Sequence, residues 1–89
     1  MPPKHSRSGA RIIFGPVAVE QAADFTPAEE IAVDRALSAI AANPLIGTLR
    51  PKTEHGGIMW EYRAPGTSVR IIYTMTVRRT IITVAYFEA

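Results

Sequence analysis

Cysteine is absent from the 89 residues, which excludes a disulfide framework and any zinc site built from thiolate ligands. No run of about 18 apolar residues occurs either, so no segment is long enough to span a membrane as a helix. The first residues also lack the apolar core of a secretory signal. We therefore expect a cytoplasmic protein without membrane association, stabilised by packing or by a partner chain.

Charged and aromatic residues are scarce, at 20% and 8%, whereas hydrophobic residues make up 47% of the chain. This balance is typical of a globular protein and too apolar for a disordered one. A chain of this length holds a single hydrophobic core. Residues 1–9 combine proline, glycine, serine and basic residues without an apolar period. We predict a flexible basic tail there and one domain over residues 10–89.

The formal net charge is only +2, but the basic residues are unevenly placed. Residues 42–89 contain six basic and three acidic side chains, a local charge of +3. Clustered cations can bind phosphates by releasing counterions, so these residues could form a nucleic-acid surface. The alternative is that they lie in solvated loops and at strand ends. The six are Arg50, Lys52, Arg63, Arg70, Arg78 and Arg79.

The clearest local signal marks the start of a helix at Pro27. Thr26 can cap the first amides, and proline suits the first helical position. Glu29 can accept a hydrogen bond from the amide of Thr26, which completes a capping box. The pair Asn43-Pro44 ends the predicted helix, because proline disfavours helical geometry in the residue before it.

The predicted helix has two apolar sides. Val33, Leu37 and Ile40 form a stripe that should pack against a sheet. Ile31 points the other way. We expect a second cover over Ile31, either a short helix near residues 18–24 or another protein chain.

Four segments are rich in β-branched and aromatic residues and are predicted to be strands. The first ends at Gly15-Pro16, because proline cannot donate to a sheet ladder. Ala64-Pro65-Gly66-Thr67 suits a type II turn, and a less specific turn follows at residues 77–80. The strands cover about residues 10–15, 57–64, 67–76 and 79–87. The fold class is therefore α+β, with an N-terminal strand, one or two helices, and a three-stranded antiparallel meander packed on the helix.

Alternation divides the side chains of the meander between two faces. In its first strand, Trp60 and Tyr62 should be buried, whereas Glu61 and Arg63 should face outward. In its middle strand, the residues predicted to meet the helix are Val69, Ile71, Tyr73 and Met75. Those predicted to face outward are Arg70, Ile72, Thr74 and Thr76.

Three motifs accompany this order of elements. They are residues 39–47 (AIAANPLIG), Glu61-Tyr62-Arg63 and Val69-Arg70-Ile71-Ile72-Tyr73. In this order they resemble the RelE/ParE superfamily of bacterial toxins, over roughly residues 11–87. The resemblance implies the toxin of a type II toxin–antitoxin module, neutralised by a cognate antitoxin protein.

The resemblance implies one of two targets. RelE-like members cleave mRNA on the ribosome, whereas ParE-like members inhibit DNA gyrase. In the RelE-like case, Arg70 matches the catalytic strand arginine and Arg63 is its neighbour. Metal-independent RNA cleavage needs cations for the charge on the phosphorane and an acid for the leaving oxygen. Tyr86 is the candidate acid. Three residues are candidate RNA contacts: Arg50, Lys52 and His55.

The sequence departs from the RelE pattern in two places. Lysines expected near Met59 and Glu61 are absent, and no basic, tyrosine-bearing segment follows the last predicted strand. The alternatives to an endonuclease are therefore a ParE-like gyrase inhibitor and a non-catalytic domain that binds nucleic acid or protein.

We predict a RelE-like toxin that inhibits translation by ribosome-dependent mRNA cleavage. Its expected partners are an antitoxin, with the ribosome and mRNA or DNA gyrase as targets. A homodimer or a hetero-oligomer with the antitoxin is compatible with the sequence. No cofactor or metal is expected, because no metal-ligand spacing occurs.

Overall fold

The computed structural model describes residues 9–51 and 57–89. Two helices cover one face of a five-stranded sheet whose strand order is β1-β5-β4-β3-β2. The strands are β1 (Arg11–Phe14), β2 (Thr48–Leu49), β3 (Trp60–Arg63), β4 (Arg70–Met75) and β5 (Ile81–Glu88). The helices are α1 (Pro16–Ala22) and α2 (Pro27–Ala42), and a 3₁₀ turn at Pro44–Ile46 follows α2.

The predicted α+β class and the antiparallel meander are confirmed by the pairing of β3 with β4 and of β4 with β5. Two further pairings were not part of the prediction. The first strand joins β5 in parallel, so β1 forms one edge of the sheet. The two residues of β2 pair antiparallel with β3 at the other edge.

Helix α2 begins as predicted. The Thr26 hydroxyl accepts a hydrogen bond from the Glu29 amide at 3.2 Å, and the Glu29 carboxylate accepts one from the Thr26 amide at 2.9 Å. Pro27 occupies the first turn. These reciprocal bonds satisfy two amides that the helix itself leaves without a partner.

Helix α1 exists, as predicted, but it begins at Pro16 and does not cover Ile31. It packs on β5, where the side-chain amide of Gln21 donates to the Phe87 carbonyl at 3.0 Å. The Phe87 amide in turn donates to the Gln21 side-chain oxygen at 2.7 Å. Ile31 therefore stays 57% exposed, and its predicted cover by a short helix is wrong.

The core lies between the helices and the covered face of the sheet. Val33 and Ile40 of the predicted stripe are buried there together with Ala36, and Leu37 of the stripe packs against them partly buried. Tyr73 of β4 is fully buried beside them. Its hydroxyl donates to the Pro44 carbonyl at 2.8 Å and accepts from the Gly47 amide at 3.2 Å. Desolvation raises the pKa of Tyr73 above its usual value, since burial penalises the phenolate.

Gly47 must be glycine because of this packing. A Cβ atom there would lie 2.5 Å from the Tyr73 hydroxyl and 2.6 Å from the Glu61 carbonyl oxygen. The second atom belongs to the backbone of β3, which cannot yield as a flexible side chain could. The glycine thus lets the chain after α2 approach β3 and β4 closely.

The predicted alternation in β4 is correct for Val69, Ile71 and Tyr73, which are buried in the core. Ile72 also lies on the face predicted for it, opposite the helices, but it is fully buried there rather than exposed. Ile72 lies directly opposite Glu61 on β3 and Tyr86 on β5. Long side chains around a central strand residue can cover it with their apolar parts even without a second layer of structure.

A β-bulge changes the facing of residues in β5. Tyr73 pairs with Val84 but Ile72 pairs with Tyr86, so Ala85 has no partner on β4. One extra residue reverses the alternation beyond it. Val84 and Phe87 are therefore both in the core, while Tyr86 and Glu88 share the open face with Ile72.

The two turns of the meander differ in strain. The predicted turn at Ala64–Thr67 is present: the Thr67 amide donates to the Ala64 carbonyl at 3.1 Å, and Gly66 has φ of 83°. The turn between β4 and β5 instead places Arg79 at φ of 58°. A left-handed conformation is easy for glycine but strained for arginine.

Candidate functional site

The candidate site lies on the open face of the sheet, which neither helix covers. Arg63 and Arg70 lie directly opposite each other on β3 and β4. Glu88 of β5 lies opposite Arg70. Tyr86 of β5 lies opposite Ile72, which is two residues after Arg70 on β4. The predicted catalytic residues Arg63, Arg70 and Tyr86 are thus brought to one face on three neighbouring strands.

Arg50 reaches the same face from the edge of the sheet. It follows β2, and its amide donates to the Met59 carbonyl at 2.8 Å, which extends the pairing of β2 with β3. Thr48 of β2 lies opposite Glu61, so alternation places Arg50 on the Glu61 side. Of the other predicted RNA contacts, Lys52 and His55 lie outside the described residues, as does most of the predicted tail.

Four of these side chains form a network of ion pairs, which we call the Arg–Glu network: Arg50, Glu61, Arg70 and Glu88. Glu88 lies between the two arginines, 3.0 Å from Arg50 Nη1 and 3.2 Å from Arg70 Nη2. Glu61 also contacts both, more distantly, at 3.8 Å and 3.9 Å. The hydrogen bond to Glu88 raises the pKa of Arg50 above its usual value.

The Arg–Glu network carries no net charge, because two guanidinium groups face two carboxylates. A phosphate that approaches Arg70 therefore competes with Glu88 and Glu61 for its positive charge. Arg63 differs from Arg70 in that it is exposed and has no carboxylate within 4.0 Å among residues 9–51 and 57–89. It is the cation of this group that is open to an anionic ligand.

Two residues of the site, Glu61 and Glu88, were not predicted from the sequence. For Glu61 the signal was available, since alternation places it on the face of Arg63 and Arg70. For Glu88 it was not, since the predicted strand ended at residue 87 and the bulge at Ala85 cannot be read from the pattern. Simple alternation from Ile82 and Val84 would have pointed Glu88 into the core.

Chemically, the open face offers cations, carboxylates and a phenol within one patch. Arginine can neutralise the charge that gathers on a phosphate in a transition state, and a tyrosine hydroxyl can deliver a proton to a leaving oxygen. A carboxylate can accept the proton of an attacking hydroxyl. No group of three His, Asp or Glu side chains suited to a metal ion occurs in the described part of the chain.

A second surface lies on the helix side of the molecule. Ile31 of α2 lines an open groove of about 590 Å³, which we call the Ile31 groove. Its other wall is formed by Tyr62 and the turn at Pro65 and Gly66, and Arg35 also lines the groove.

The helices found in residues 9–51 and 57–89 are too short or too polar to span a lipid bilayer.

Comparison with known proteins identifies solved structures with a similar fold. No family model and no curated protein sequence matches the chain. Among solved structures, it is similar to the RelBE2 toxin–antitoxin complex from Mycobacterium tuberculosis, with 20% identity, a TM-score of 0.70, and coverage of 90% of this chain and 96% of the other. The archaeal RelE–RelB complex from Pyrococcus horikoshii gives 13% identity, a TM-score of 0.72, and coverage of 90% and 93%.

The isolated E. coli RelE toxin is similar at 12% identity and a TM-score of 0.71, with coverage of 88% of this chain and 81% of the other. That structure contains the toxin without its antitoxin, so the shared fold is the fold of the toxin. The protein therefore has the RelE fold, and the resemblance found in the sequence is confirmed at that level. Identities this low establish the fold alone.

Proposed function

We propose that this protein is the toxin of a two-component toxin–antitoxin module. The RelE fold supports the proposal, since similar chains are found in RelE–RelB complexes. The antitoxin would cover the Ile31 groove, where an isoleucine of α2 is left more than half exposed. An apolar side chain in a groove is a suitable anchor for a segment of a partner protein.

For the target, we propose mRNA on the ribosome, so that the protein inhibits translation by RNA cleavage. The observation that carries this choice is the pair of arginines, Arg63 and Arg70, on neighbouring strands of an open face. Arg63 would bind the phosphate first, and Arg70 would stabilise the transition state after exchanging Glu88 for the phosphate. Tyr86, from the next strand, would act as the acid.

A different observation favours the second candidate, a ParE-like inhibitor of DNA gyrase. Glu61 and Glu88 neutralise two of the arginines on the open face. A surface with balanced charge is suited to a protein target, because it binds through matched ion pairs rather than through excess positive charge. The third candidate, a non-catalytic binding domain, requires neither free cations nor an acid.

Induced expression in a bacterial host separates these candidates. The wild-type chain is compared with Arg70→Ala and with the control Glu20→Ala, which alters an exposed residue of α1 remote from the site. All three are produced at equal soluble levels. The readouts are growth, the integrity of total mRNA, and induction of the DNA-damage response.

The mRNA-cleavage proposal expects growth arrest and cleaved messages from wild type and Glu20→Ala, with at least a tenfold weaker effect of Arg70→Ala. Arrest that persists in Arg70→Ala, with intact messages and a DNA-damage response, would instead identify gyrase as the target. Absence of arrest with all three soluble proteins would contradict an active toxin and favour the binding domain.

A further inference from the structure

Five of the arginines in the described residues form two groups towards opposite ends of the sheet. Arg50 and Arg70 belong to the Arg–Glu network. Arg11, Arg78 and Arg79, which we call the basic tip, lie where β1 begins and where β4 turns into β5. In the part of the chain that the structure describes, no carboxylate lies within 4.0 Å of any of these three.

Backbone contacts bring the basic tip together. Arg11 lies opposite Ile81 in the parallel pairing of β1 with β5, and its amide donates to the Thr80 carbonyl at 2.8 Å. Arg78 and Arg79 immediately precede these residues, and neighbouring strands are about 4.8 Å apart. Asp34 is the acidic residue that lines the adjoining cleft together with Arg11 and Thr80. Three arginines and one aspartate leave the tip with positive charge.

The turn that presents the two arginines is held firmly. The Thr76 hydroxyl accepts hydrogen bonds from the amides of Thr80 at 3.1 Å and Ile81 at 3.2 Å. The Thr76 carbonyl accepts one from the Arg79 amide at 2.8 Å. A charged group on a fixed turn loses less conformational freedom on binding than one on a mobile loop.

Two features of this turn have no explanation in folding. Arg79 has a left-handed backbone, which is strained for arginine and would be less so for glycine or asparagine. Val77 is 98% exposed, so it contributes nothing to the core. Strained residues that the surrounding structure maintains are concentrated at functional sites.

We propose that the basic tip binds the phosphate backbone of RNA. Three arginines without carboxylate partners can each contact a phosphate, whereas the charge of those in the Arg–Glu network is already balanced by two carboxylates. The choice of RNA over another polyanion rests on the proposed function. Because β5 runs from the tip to Glu88, the two ends of the sheet are roughly 23 Å apart, and an RNA strand along the open face would contact both.

Binding of a labelled single-stranded oligouridylate of about 16 nucleotides, measured by fluorescence anisotropy over a range of KCl concentrations, tests the proposal. The variants are Arg78→Gln and the double variant Arg78→Gln/Arg79→Asn, in which asparagine tolerates the left-handed backbone. The matched control is Arg35→Gln, which also removes one exposed arginine without an ion pair. Thermal unfolding checks that all variants fold.

We expect the double variant to bind about tenfold more weakly at ~0.1 M salt, with a salt slope reduced by about 1.4, or ~0.7 for each phosphate that is no longer neutralised. Arg78→Gln should show about half of this reduction, and Arg35→Gln should bind as wild type does. Equal reductions in Arg78→Gln and Arg35→Gln would overturn the proposal, because they would reflect net charge alone. Absence of binding by the wild type at low salt would overturn it too.

Competition with duplex DNA of the same length tests the choice of RNA. If duplex DNA displaces the oligouridylate more strongly than unlabelled RNA does, the assignment to RNA is wrong. These measurements use purified protein and need no cell growth. Loss of RNA binding at the tip is therefore distinguishable from a failure of the growth-arrest experiment, which depends on Arg70.

Discussion

The two faces of the sheet are built from different interactions. On the covered face, Ile40 and Tyr73 are fully buried, and both hydrogen bonds of the tyrosine hydroxyl are satisfied. On the open face, the carboxylates and guanidinium groups of the Arg–Glu network keep between 24% and 40% of their surface in solvent. Partly exposed ion pairs contribute only about 0–1 kcal/mol each. Stability should therefore reside on the covered face, and the open face should tolerate changes that alter its charge.

The largest effect is expected from Ile40→Ala on the covered face. Removing three buried carbon atoms leaves a cavity, which should lower the free energy of unfolding by about 3 kcal/mol. The matched control is Ile13→Ala in β1, a site that is 42% exposed, where we expect a loss below about 1 kcal/mol. Urea unfolding followed by circular dichroism measures both. Similar losses in the two variants would contradict the division between the faces.

Ile72→Ala tests a buried apolar residue of the open face, which should stabilise the fold more than the ion pairs around it do. Ile72 has no exposed surface although no helix covers it, so we expect a loss of about 2 kcal/mol. Truncation should also loosen Glu61 and Tyr86, which flank it. A loss near zero in the same unfolding assay would show that the surrounding side chains collapse into the gap.

Tyr73→Phe removes the hydroxyl that links β4 to the segment after α2. We expect a loss of about 1 kcal/mol near neutral pH, because the Pro44 carbonyl and the Gly47 amide both lose a partner. Urea unfolding near neutral pH, with wild type at matched concentration, measures this difference.

The pH dependence of the same variant has a defined sign. The pKa of Tyr73 is raised from the usual 10.0, so the folded state holds this proton more tightly than the unfolded state does. Its contribution is complete below pH 10.0 and is lost as the pH rises through the folded value. The stability difference between wild type and Tyr73→Phe should therefore shrink above pH 10. A constant difference up to about pH 11 would contradict this assignment.

The covered face could be predicted from the sequence to a large extent, and the open face only in part. Helix α2, its cap and its buried stripe follow from local rules, since Thr26, Pro27 and Glu29 act within one turn. The turn at Gly66 follows from the same kind of rule. The parallel pairing of β1 with β5 does not, because it joins residues about 70 positions apart without a local signal.

On the open face, Arg63, Arg70 and Tyr86 were predicted as candidate catalytic residues, but neither the shared face of Tyr86 nor the partners of Arg70 were predicted. The bulge at Ala85 turns Glu88 toward Arg50 and Arg70. A bulge depends on how two strands fit together rather than on the residue types of either strand.

Glu88→Gln should give the smallest change in stability and a clear change in charge. The variant keeps the shape of the side chain but removes the negative charge closest to Arg50 and Arg70. We expect the free energy of unfolding to change by less than about 1 kcal/mol, since all three side chains are partly exposed. The Arg–Glu network would then carry one net positive charge, because Glu61 is the remaining carboxylate.

That added charge should strengthen binding to an oligouridylate several-fold at low salt and should steepen its salt dependence. Glu20→Gln, which removes a carboxylate from the exposed side of α1, is the matched control and should change binding less. Stronger binding by Glu88→Gln alone would mean that Glu88 holds Arg70 back from phosphate in the free protein. Equal binding by both variants and wild type would mean that the open face does not meet RNA, and would favour a protein target for this fold.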